Sequence, residues 1–302
     1  MLRWRIILGS LLVALSLTLC WFDAYAQRPG IYLVLPAVVL CLLATQELLG
    51  LFHKLGREPI AWTIYLGTLL PLLGACAPMA WKEYPSDCPV GRLGWLACGL
   101  AAGLIVAVVG EIWRYHQPGS TILNLALAAL SILYIGGLMG FLVQLRLLDI
   151  GVGVSRGGLL AMVSTIVVVK AADIGAYASG HLWGKHKMAP VISPGKTWEG
   201  VIGGLMLAVV GSLVTLGPLA RVLGCESVAS WPAWLLGAVI YGLVVSSAGI
   251  LGDLAESLLK RDAGVKDSSS WLPGFGGVLD LLDSLLVAAP VAYLFWVSGL
   301  VG

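Results

Sequence analysis

Charged residues are scarce in this chain of 302 residues. Only 11% of its residues are Asp, Glu, Lys or Arg, and 59% are hydrophobic. The mean hydropathy is +0.95. A soluble globular domain usually carries about 25% charged residues, so this chain has too few to cover a surface that faces water. The composition excludes an ordinary soluble protein and predicts that lipid covers much of the surface.

Long apolar stretches follow one another along the whole sequence. A chain inside hydrocarbon must satisfy its own backbone hydrogen bonds, and about 20 residues of helix cross a bilayer. The sequence therefore predicts an all-α fold, a polytopic membrane bundle of about nine transmembrane helices. The nine stretches lie near residues 5–22, 31–52, 60–80, 93–113, 121–145, 158–179, 200–220, 232–252 and 279–299. We interpret residues 1–302 as one membrane domain, with a helical scaffold in 1–157 and a catalytic half in 158–302.

The basic residues between these stretches indicate an orientation by the positive-inside rule. With the N-terminus in the cytoplasm, eleven Lys and Arg residues face that side and six face the other. The two most polar loops, 180–199 and 253–278, are then cytoplasmic, and the predicted location is the cell (inner) membrane. The first stretch, with Arg3 and Arg5 before it and Ala24-Tyr25-Ala26 after it, also has the pattern of a signal peptide.

Several common site patterns are missing. The six cysteines show no C-x-x-C spacing, and neither a zinc-type His/Cys spacing nor a Ser-His-Asp order is present. Gly195-Lys196-Thr197 ends like a P-loop, but that motif needs a glycine five residues before Gly195, and position 190 is proline. The absence of these patterns argues against a thiolate metal site, a serine-hydrolase triad and a P-loop.

Polar side chains inside the apolar stretches are candidates for function, because burying them in a membrane is costly. Lys170 and Asp173 have i, i+3 spacing and Tyr177 extends their helical face. They form either a self-neutralising ion pair or part of a site. In the first half, Glu47 and Glu111 lie near the ends of their stretches, as does Gln46. There we expect them to reach water or to make helix contacts.

Residues 181–200, HLWGKHKMAPVISPGKTWEG, form a short polar loop before the seventh stretch. Ser193, Lys196 and Thr197 lie at its end. Thr197 is placed to cap the following helix, and Lys196 to meet an anion at the N-terminus of that helix.

The densest polar cluster surrounds the start of the last stretch. Asp253, Glu256, Ser257 and Lys260 fall at i, i+3, i+4 and i+7, a single helical stripe. A run of further polar and glycine residues follows them: Arg261, Lys266, Asp267, the sequence PGFGG at 273–277, Asp280, Asp283 and Ser284. Two acids that enter an apolar stretch directly after a glycine-rich turn are not explained by a solvated surface.

This combination of groups suits phosphate chemistry. Carboxylates are the oxygen ligands that Mg²⁺ prefers, usually together with substrate phosphates. Lysine and arginine offset phosphate charge, and glycine amides at a helix start can bind an oxyanion. No general base is evident, which favours phosphoryl or nucleotidyl transfer, where positioning and electrostatics dominate.

The stretch from Ser257 to Asp283, SLLKRDAGVKDSSSWLPGFGGVLDLLD, resembles the signature of the phosphatidate cytidylyltransferases, also called CDP-diacylglycerol synthases. The segments from Asp173 onward and from Ser193 to Gly200 are also similar to that family, so the resemblance covers about residues 165–290. The first half matches only in being hydrophobic. Two positions depart from the pattern: Phe275 replaces the family's histidine and Leu281 its arginine.

The resemblance implies a reaction in which CTP and phosphatidic acid give CDP-diacylglycerol and pyrophosphate. It implies catalytic roles for Asp253, Lys260, Arg261, Lys266, Asp267, Asp280 and Asp283, with Mg²⁺ bound by Asp253, Asp280 and Asp283. The substrate-binding residues it implies are Asp173, Ser193, Lys196, Thr197, Ser257, Gly274, Gly276 and Gly277. A monovalent cation such as K⁺ is left open as a second ion, and so is a homodimer. The expected partners are CTP, phosphatidic acid and the lipid bilayer, with no nucleic acid.

Two other functions remain open from the residues alone. A CTP-dependent polyprenol or phytol kinase would use similar chemistry on a lipid alcohol and would release CDP instead of pyrophosphate. A secondary transporter would also carry Lys170, Asp173 and glycine-broken spans. It should, however, place polar groups near the bilayer midplane and repeat them in a related half.

Overall fold

Helices make up almost all of the regular structure of this protein. A computed structural model describes residues 2–80, 88–116, 118–148, 156–225, 227, 230–269 and 276–301. The helices before residue 150 are α1 (Leu2–Ala24), α2 (Ile31–Lys54), α3 (Ala61–Cys76), α4 (Gly91–Arg114), α5 (Thr121–Ser131) and α6 (Leu138–Arg146). The later helices are α7 (Arg156–Trp183), α8 (Trp198–Val214), α9 (Ala220–Leu223), α10 (Trp231–Asp262) and α11 (Val278–Val297). Two short antiparallel strands, β1 (Lys187–Ala189) and β2 (Ser193–Thr197), form a hairpin between α7 and α8.

The predicted membrane architecture is confirmed. Eight helical segments of the described chain are long and apolar enough to cross a membrane, and they correspond to the second to ninth predicted stretches. The first stretch forms α1, whose apolar part in the described residues, Gly9–Ala24, is shorter than the other eight. Helices α5 and α6 make one continuous crossing through a π-helical turn, Ile132–Gly137. A second such turn, Thr215–Leu219, joins α8 to α9.

Two boundaries predicted from the sequence are wrong. Residues 253–278 do not form a loop throughout, because α10 continues to Asp262 and carries the whole predicted stripe on helix. Residues 180–199 are not a plain loop either. Helix α7 extends to Trp183 and the β-hairpin follows it.

The residues form two compact units. Unit 1 contains residues 1–144 and 259–282, and unit 2 contains residues 145–258 and 283–302. Unit 1 thus holds α1 to α5 with most of α6, the last turn of α10 and the start of α11. Unit 2 holds α7 to α9, the hairpin and the remainder of α10 and α11.

Close helix packing in unit 1 depends on glycines in α3 and α4. A Cβ atom on Gly99 would collide with the backbone of Leu70 and Pro71, and one on Gly103 would collide with the backbone of Gly67. Small residues let helix backbones approach closely where lipid supplies no hydrophobic drive. Gly99 and Gly103 therefore allow the short distance between the backbones of α3 and α4.

In unit 2, glycines also allow close packing between α7 and α8. A Cβ atom on Gly175 would collide with the backbone of Gly203, and one on Gly204 with that of Ala172. This packing holds the part of α7 that carries Lys170 and Asp173 against α8.

Candidate active-site residues

Backbone hydrogen bonds cap the C-terminal end of α10, which lies in unit 1. Gly264 has a left-handed φ of 68°. Its N–H donates to the carbonyl of Arg261 at 3.0 Å, and the N–H of Val265 donates to the carbonyl of Lys260 at 2.9 Å. These two bonds are those of a Schellman motif, in which a glycine ends the helix. The chain is thereby turned sharply after Lys260 and Arg261.

Asp280 in the first turn of α11 receives hydrogen bonds from the end of α10 and from the turn that follows it. Its Oδ1 accepts from Lys260 Nζ at 2.5 Å. Its Oδ2 accepts from the backbone N–H of Gly277 at 2.6 Å and from the backbone N–H and the hydroxyl of Ser268, at 3.3 and 2.9 Å. The Lys260 and Asp280 side chains are only 11% and 13% exposed, so their ion pair is shielded from water.

Glu47 of α2 is bonded to the same region. Its Oε1 accepts from the Ser269 hydroxyl at 2.8 Å and from the Val278 N–H at 2.9 Å. Its Oε2 accepts from the Ser268 hydroxyl at 2.9 Å and from the Leu279 N–H at 2.8 Å. The first N–H groups of a helix have no partner within the helix. Glu47 and Asp280 together satisfy those of Gly277, Val278 and Leu279 at the start of α11.

A cavity of about 160 Å³ adjoins this cluster. Its lining combines apolar, hydroxyl and basic groups from α2 and from the region before α11: Leu43, Gln46, Glu47, Gly50, Lys54, Ser268, Ser269 and Val278. The exposed Lys54 gives the cavity a cation. Space for a small polar group therefore exists beside the capped start of α11.

Unit 2 holds a second set of charges. Lys196, at the end of the hairpin, forms an ion pair with Asp253 of α10 at 2.8 Å. The Ser257 hydroxyl donates to the other oxygen of Asp253 at 3.4 Å, as their i, i+4 spacing allows. Lys196 thus pairs with a carboxylate of α10 in the structure, and its predicted contact with an anion at the start of α8 stays a prediction. Asp253 keeps 36% of its side chain exposed, which leaves it accessible to a ligand.

Asp283 lies where α11 crosses α10 within unit 2. A Cβ atom on Gly252 would collide with the backbone carbonyl of Asp283, so the two backbones touch one residue away from Asp253. The Asp283 side chain is buried, and its Oδ1 accepts from the N–H of Ser284 at 2.5 Å. Asp253 and Asp283 therefore lie on facing helices at the same level.

Lys170 and Asp173 of α7 form the ion pair that their spacing predicts. Lys170 Nζ donates to Asp173 Oδ2 at 3.1 Å. Tyr177, one turn further along, is exposed and stacks on His181 with 6.0 Å between ring centroids. The predicted helical face exists, and its charges neutralise each other.

The hairpin residues hold the start of α8. The Thr197 hydroxyl accepts from the Gly200 N–H at 3.1 Å, which confirms the predicted N-cap. His186 donates its backbone N–H to Glu199, and its Nδ1 lies 2.6 Å from Oε1 of that carboxylate. Ser193 pairs with Ala189 across the hairpin. This contact between His186 and Glu199 was not predicted, since neither residue belongs to the spacing patterns considered.

The remaining predicted residues are exposed at the end of α10 or in the turn after it, or they lie outside the described residues. Arg261 donates from Nη1 to the carbonyl of Val265 at 3.1 Å, and Lys266 and Asp267 lie exposed in the turn. Gly274 and Phe275 lie outside the described residues. Leu281, in place of the family arginine, follows Asp280 in α11 and is half-buried.

The carboxylates fit a hard cation by their chemistry. Asp253, Asp280 and Asp283 offer the oxygen ligands that Mg²⁺ favours. Within the described residues, no three His, Cys, Asp or Glu side chains converge closely enough to hold a metal ion by themselves. Mg²⁺ commonly completes its coordination with water and substrate phosphates, so two or three carboxylates are a sufficient protein contribution.

The hydrogen bonds of Glu47 were not predicted from the sequence. Its position near a helix end predicted water or helix contacts, and the structure shows a buried carboxylate with four donors. The donors lie more than 220 residues further along the chain, so no local spacing could reveal them. The one available signal was an acid inside an otherwise apolar stretch.

Comparisons with known proteins identify the family. The model of the "Cytidylyltransferase family" matches residues 3–298. A "Phosphatidate cytidylyltransferase" of Synechocystis is 31% identical over 96% of this chain and 95% of its own length. Proteins of the same name from Haemophilus influenzae and Pseudomonas aeruginosa are 44% and 46% identical. Those two alignments cover 46% of this chain, and 46% and 48% of the relatives' lengths, so they span about half of each protein. Because the family model matches almost the entire sequence, the chain belongs to the cytidylyltransferase family.

Proposed function

We propose that this protein transfers CMP from CTP to phosphatidic acid, giving CDP-diacylglycerol and pyrophosphate in phospholipid synthesis. The family and the names of the relatives support this proposal. The observation that carries it is the Lys260–Asp280 ion pair next to the capped start of α11. It holds the basic end of α10 in a fixed position, from which the exposed Arg261 and Lys266 follow as positive charges for binding phosphates.

The chemistry requires little from protein bases. An oxygen of the lipid phosphate attacks the α-phosphorus of CTP, a new P–O bond forms, and the bond from the α-phosphorus to the bridging oxygen breaks as pyrophosphate leaves. A phosphate monoester is already ionised near neutral pH, because its second pKa is about 6. The protein must therefore position the two phosphates and reduce their repulsion.

Basic residues on α10 and in the turn after it supply the charge. Arg261 and Lys266 are exposed and can contact CTP phosphates from water. Lys260 is held by Asp280, so its position is fixed before substrate binds. Preorganised charge of this kind stabilises a transition state without further rearrangement. In unit 2, Lys196 and Ser257 orient Asp253.

We retain Asp253, Asp280 and Asp283 as the proposed Mg²⁺ ligands on the basis of their sequence pattern. A divalent cation held by these residues would supply positive charge to the CTP phosphates. Asp253 and Asp283 are supported by their positions on facing helices of unit 2. Asp280 is already bonded within unit 1, by Lys260 at Oδ1 and by backbone and hydroxyl donors at Oδ2.

The proposal includes a location. CTP is aqueous and phosphatidic acid is in the bilayer, so the reaction belongs at a membrane surface. We place the N-terminus and the site on the cytoplasmic side of the cell (inner) membrane, on the distribution of basic residues. Association into a homodimer, and a second, monovalent ion such as K⁺, stay as proposals that the reaction does not require.

Incubating the detergent-purified protein with Mg²⁺, labelled CTP and phosphatidic acid tests the reaction. We expect labelled CDP-diacylglycerol and an equal amount of pyrophosphate. Labelled CDP as the sole product, formed when a polyprenol replaces phosphatidic acid, would instead identify a lipid kinase. Formation of neither product would contradict the proposed transfer.

Asp253→Asn tests the role of that acid in the same assay. Removing one charge at a ligand of the cation should lower the rate by about 100-fold or more, as expected when an electrostatic contact in the transition state is lost. The matched control is Asp262→Asn, the same change at an exposed position of the same helix. Equal rates for the two variants would remove Asp253 from the site.

A further inference from the structure

Glu47 differs from Glu111, another buried acid of unit 1, in what it contacts. Glu111 of α4 accepts from the Asn124 amide at 3.4 Å. Four donors lie 2.8–2.9 Å from the Glu47 carboxylate: two backbone N–H groups of α11 and two serine hydroxyls, of which that of Ser268 is shared with Asp280. Every donor lies in residues 268–279, directly before Asp280.

The four bonds cannot be replaced by a neutral side chain of the same size. Each carboxylate oxygen of Glu47 accepts one hydroxyl and one backbone N–H. A glutamine amide has one acceptor oxygen and one NH₂ group. In either orientation, its NH₂ group would face the backbone N–H of Val278 or Leu279, which can only donate. A hydroxyl can rotate to accept, but a backbone N–H cannot.

Glu47 also reaches Asp280 through Ser268. The Ser268 hydroxyl lies 2.9 Å from both Glu47 Oε2 and Asp280 Oδ2. The three groups surround Gly277, where an added Cβ atom would collide with the Ser268 hydroxyl and the Glu47 carboxylate. The orientation of Asp280 is therefore coupled to the carboxylate of Glu47.

We propose that Glu47 is a positioning residue for the transfer reaction, which fixes Asp280 and the first turn of α11 through Ser268 and the amides of Val278 and Leu279. The inference rests on the proposed function for its consequence in catalysis. Glu47 itself does not touch the reacting atoms. Its part is to hold the Asp280 carboxylate in the orientation in which Lys260 also meets it.

Steady-state kinetics of the full chain in detergent test this role. Glu47→Gln should lower kcat by about 10- to 100-fold, as expected when a reacting geometry is displaced by a fraction of an ångström to one ångström, and should leave the KM for CTP unchanged. Glu111→Gln is the matched control, since it makes the same change at a buried acid of another helix of unit 1. It should retain the wild-type kcat.

A double-variant comparison separates positioning from general damage to the fold. If Glu47 acts through Ser268, Glu47→Gln/Ser268→Ala should be about as active as Glu47→Gln alone, because groups in one network are not additive. Losses that multiply in the double variant would overturn the proposal. A kcat for Glu47→Gln equal to that of Glu111→Gln would overturn it as well.

Amide hydrogen exchange gives a readout that does not depend on activity. In Glu47→Gln, the peptide that contains Val278 and Leu279 should exchange faster than in wild type, whereas Glu111→Gln should leave that peptide unchanged. Unchanged exchange in Glu47→Gln would overturn the contact itself. If the wild-type chain makes no CDP-diacylglycerol, the proposed function fails, and the exchange measurement still decides whether Glu47 holds the start of α11.

Discussion

Gly276 determines the position of Asp280 because it has no side chain. Its φ is 87°, a left-handed conformation that L-residues disfavour, and an added Cβ atom would contact Asp280 Oδ2. The backbone of the glycine turn thus packs directly on the carboxylate. A residue with any side chain would push Asp280 away from the amide of Gly277 and from Lys260.

Gly276→Ala should therefore reduce activity by more than its loss of folding stability can explain. The left-handed backbone should cost about 1–2 kcal/mol, and displacement of Asp280 should lower kcat by about tenfold or more. CTP-dependent product formation and thermal unfolding in detergent measure the two effects.

Gly264→Ala provides the matched control. Gly264 has a φ of 68°, but nothing lies within 4 Å of its added Cβ atom. It should show a similar loss of stability and keep most of the activity at temperatures where the protein is folded. The same loss of kcat in both variants would show that backbone strain, and not contact with Asp280, accounts for the effect.

The spacing of residues predicted which helices carry the candidate acids, but not how these acids are held. Asp253, Ser257, Lys260 and Asp280 follow from a helical stripe and a glycine turn, and the structure places them on α10 and α11 as that pattern predicts. Lys196 and Asp253 are 57 residues apart in sequence, and their ion pair arises from packing between the hairpin and α10. Periodicity describes one helix at a time, so contacts between elements remain beyond it.

At the scale of elements, helix ends were the least predictable feature. The apolar stretch of α10 stops near residue 252, yet the helix continues for ten residues to Asp262. The polar residues of that extension keep an i, i+3, i+4 spacing, and the glycine that ends the helix is Gly264. Hydropathy reports where the lipid ends, whereas a helix ends at its cap.

The glycines between α3 and α4 allow a prediction about packing. Gly99→Ala should destabilise the protein by about 1–3 kcal/mol, since the new methyl group would overlap the backbone of Leu70 and Pro71. Thermal unfolding monitored by circular dichroism in detergent would measure it.

Gly50→Ala in α2 is the control for that change. Nothing lies within 4 Å of its added Cβ atom, so the higher helix propensity of alanine should leave stability unchanged or raise it by up to about 1 kcal/mol. If Gly99→Ala proves as stable as Gly50→Ala, the close approach of α3 and α4 is not required.

At the scale of the whole molecule, the number of crossings was predictable because each stretch is long and apolar. Within the described residues, eight of the nine stretches form helices long and apolar enough to cross a membrane. Their assembly into two units was not predictable, because residues 259–282 join the helices of the first 144 residues. Glu47 is one residue that bonds the two parts, and its partners are distant in sequence.

Cysteine labelling tests the predicted orientation of the whole chain. None of the six native cysteines forms a disulfide in the described residues, so a background without them loses no disulfide. In that background, Lys266→Cys should react with a membrane-impermeant maleimide in inside-out vesicles, and Arg28→Cys in right-side-out vesicles. Both positions are exposed in turns. The opposite pattern of labelling would reverse the orientation.

The Ser268 hydroxyl is the one group that lies within 3 Å of both Glu47 and Asp280 among the contacts described above. A hydroxyl carries a single hydrogen atom, so it satisfies one acid at a time and faces the other through its lone pairs. Rotation about one C–O bond exchanges the two arrangements. Glu47 and Asp280 therefore compete for one hydrogen atom, and the acid that is the stronger acceptor takes it without any movement of the backbone.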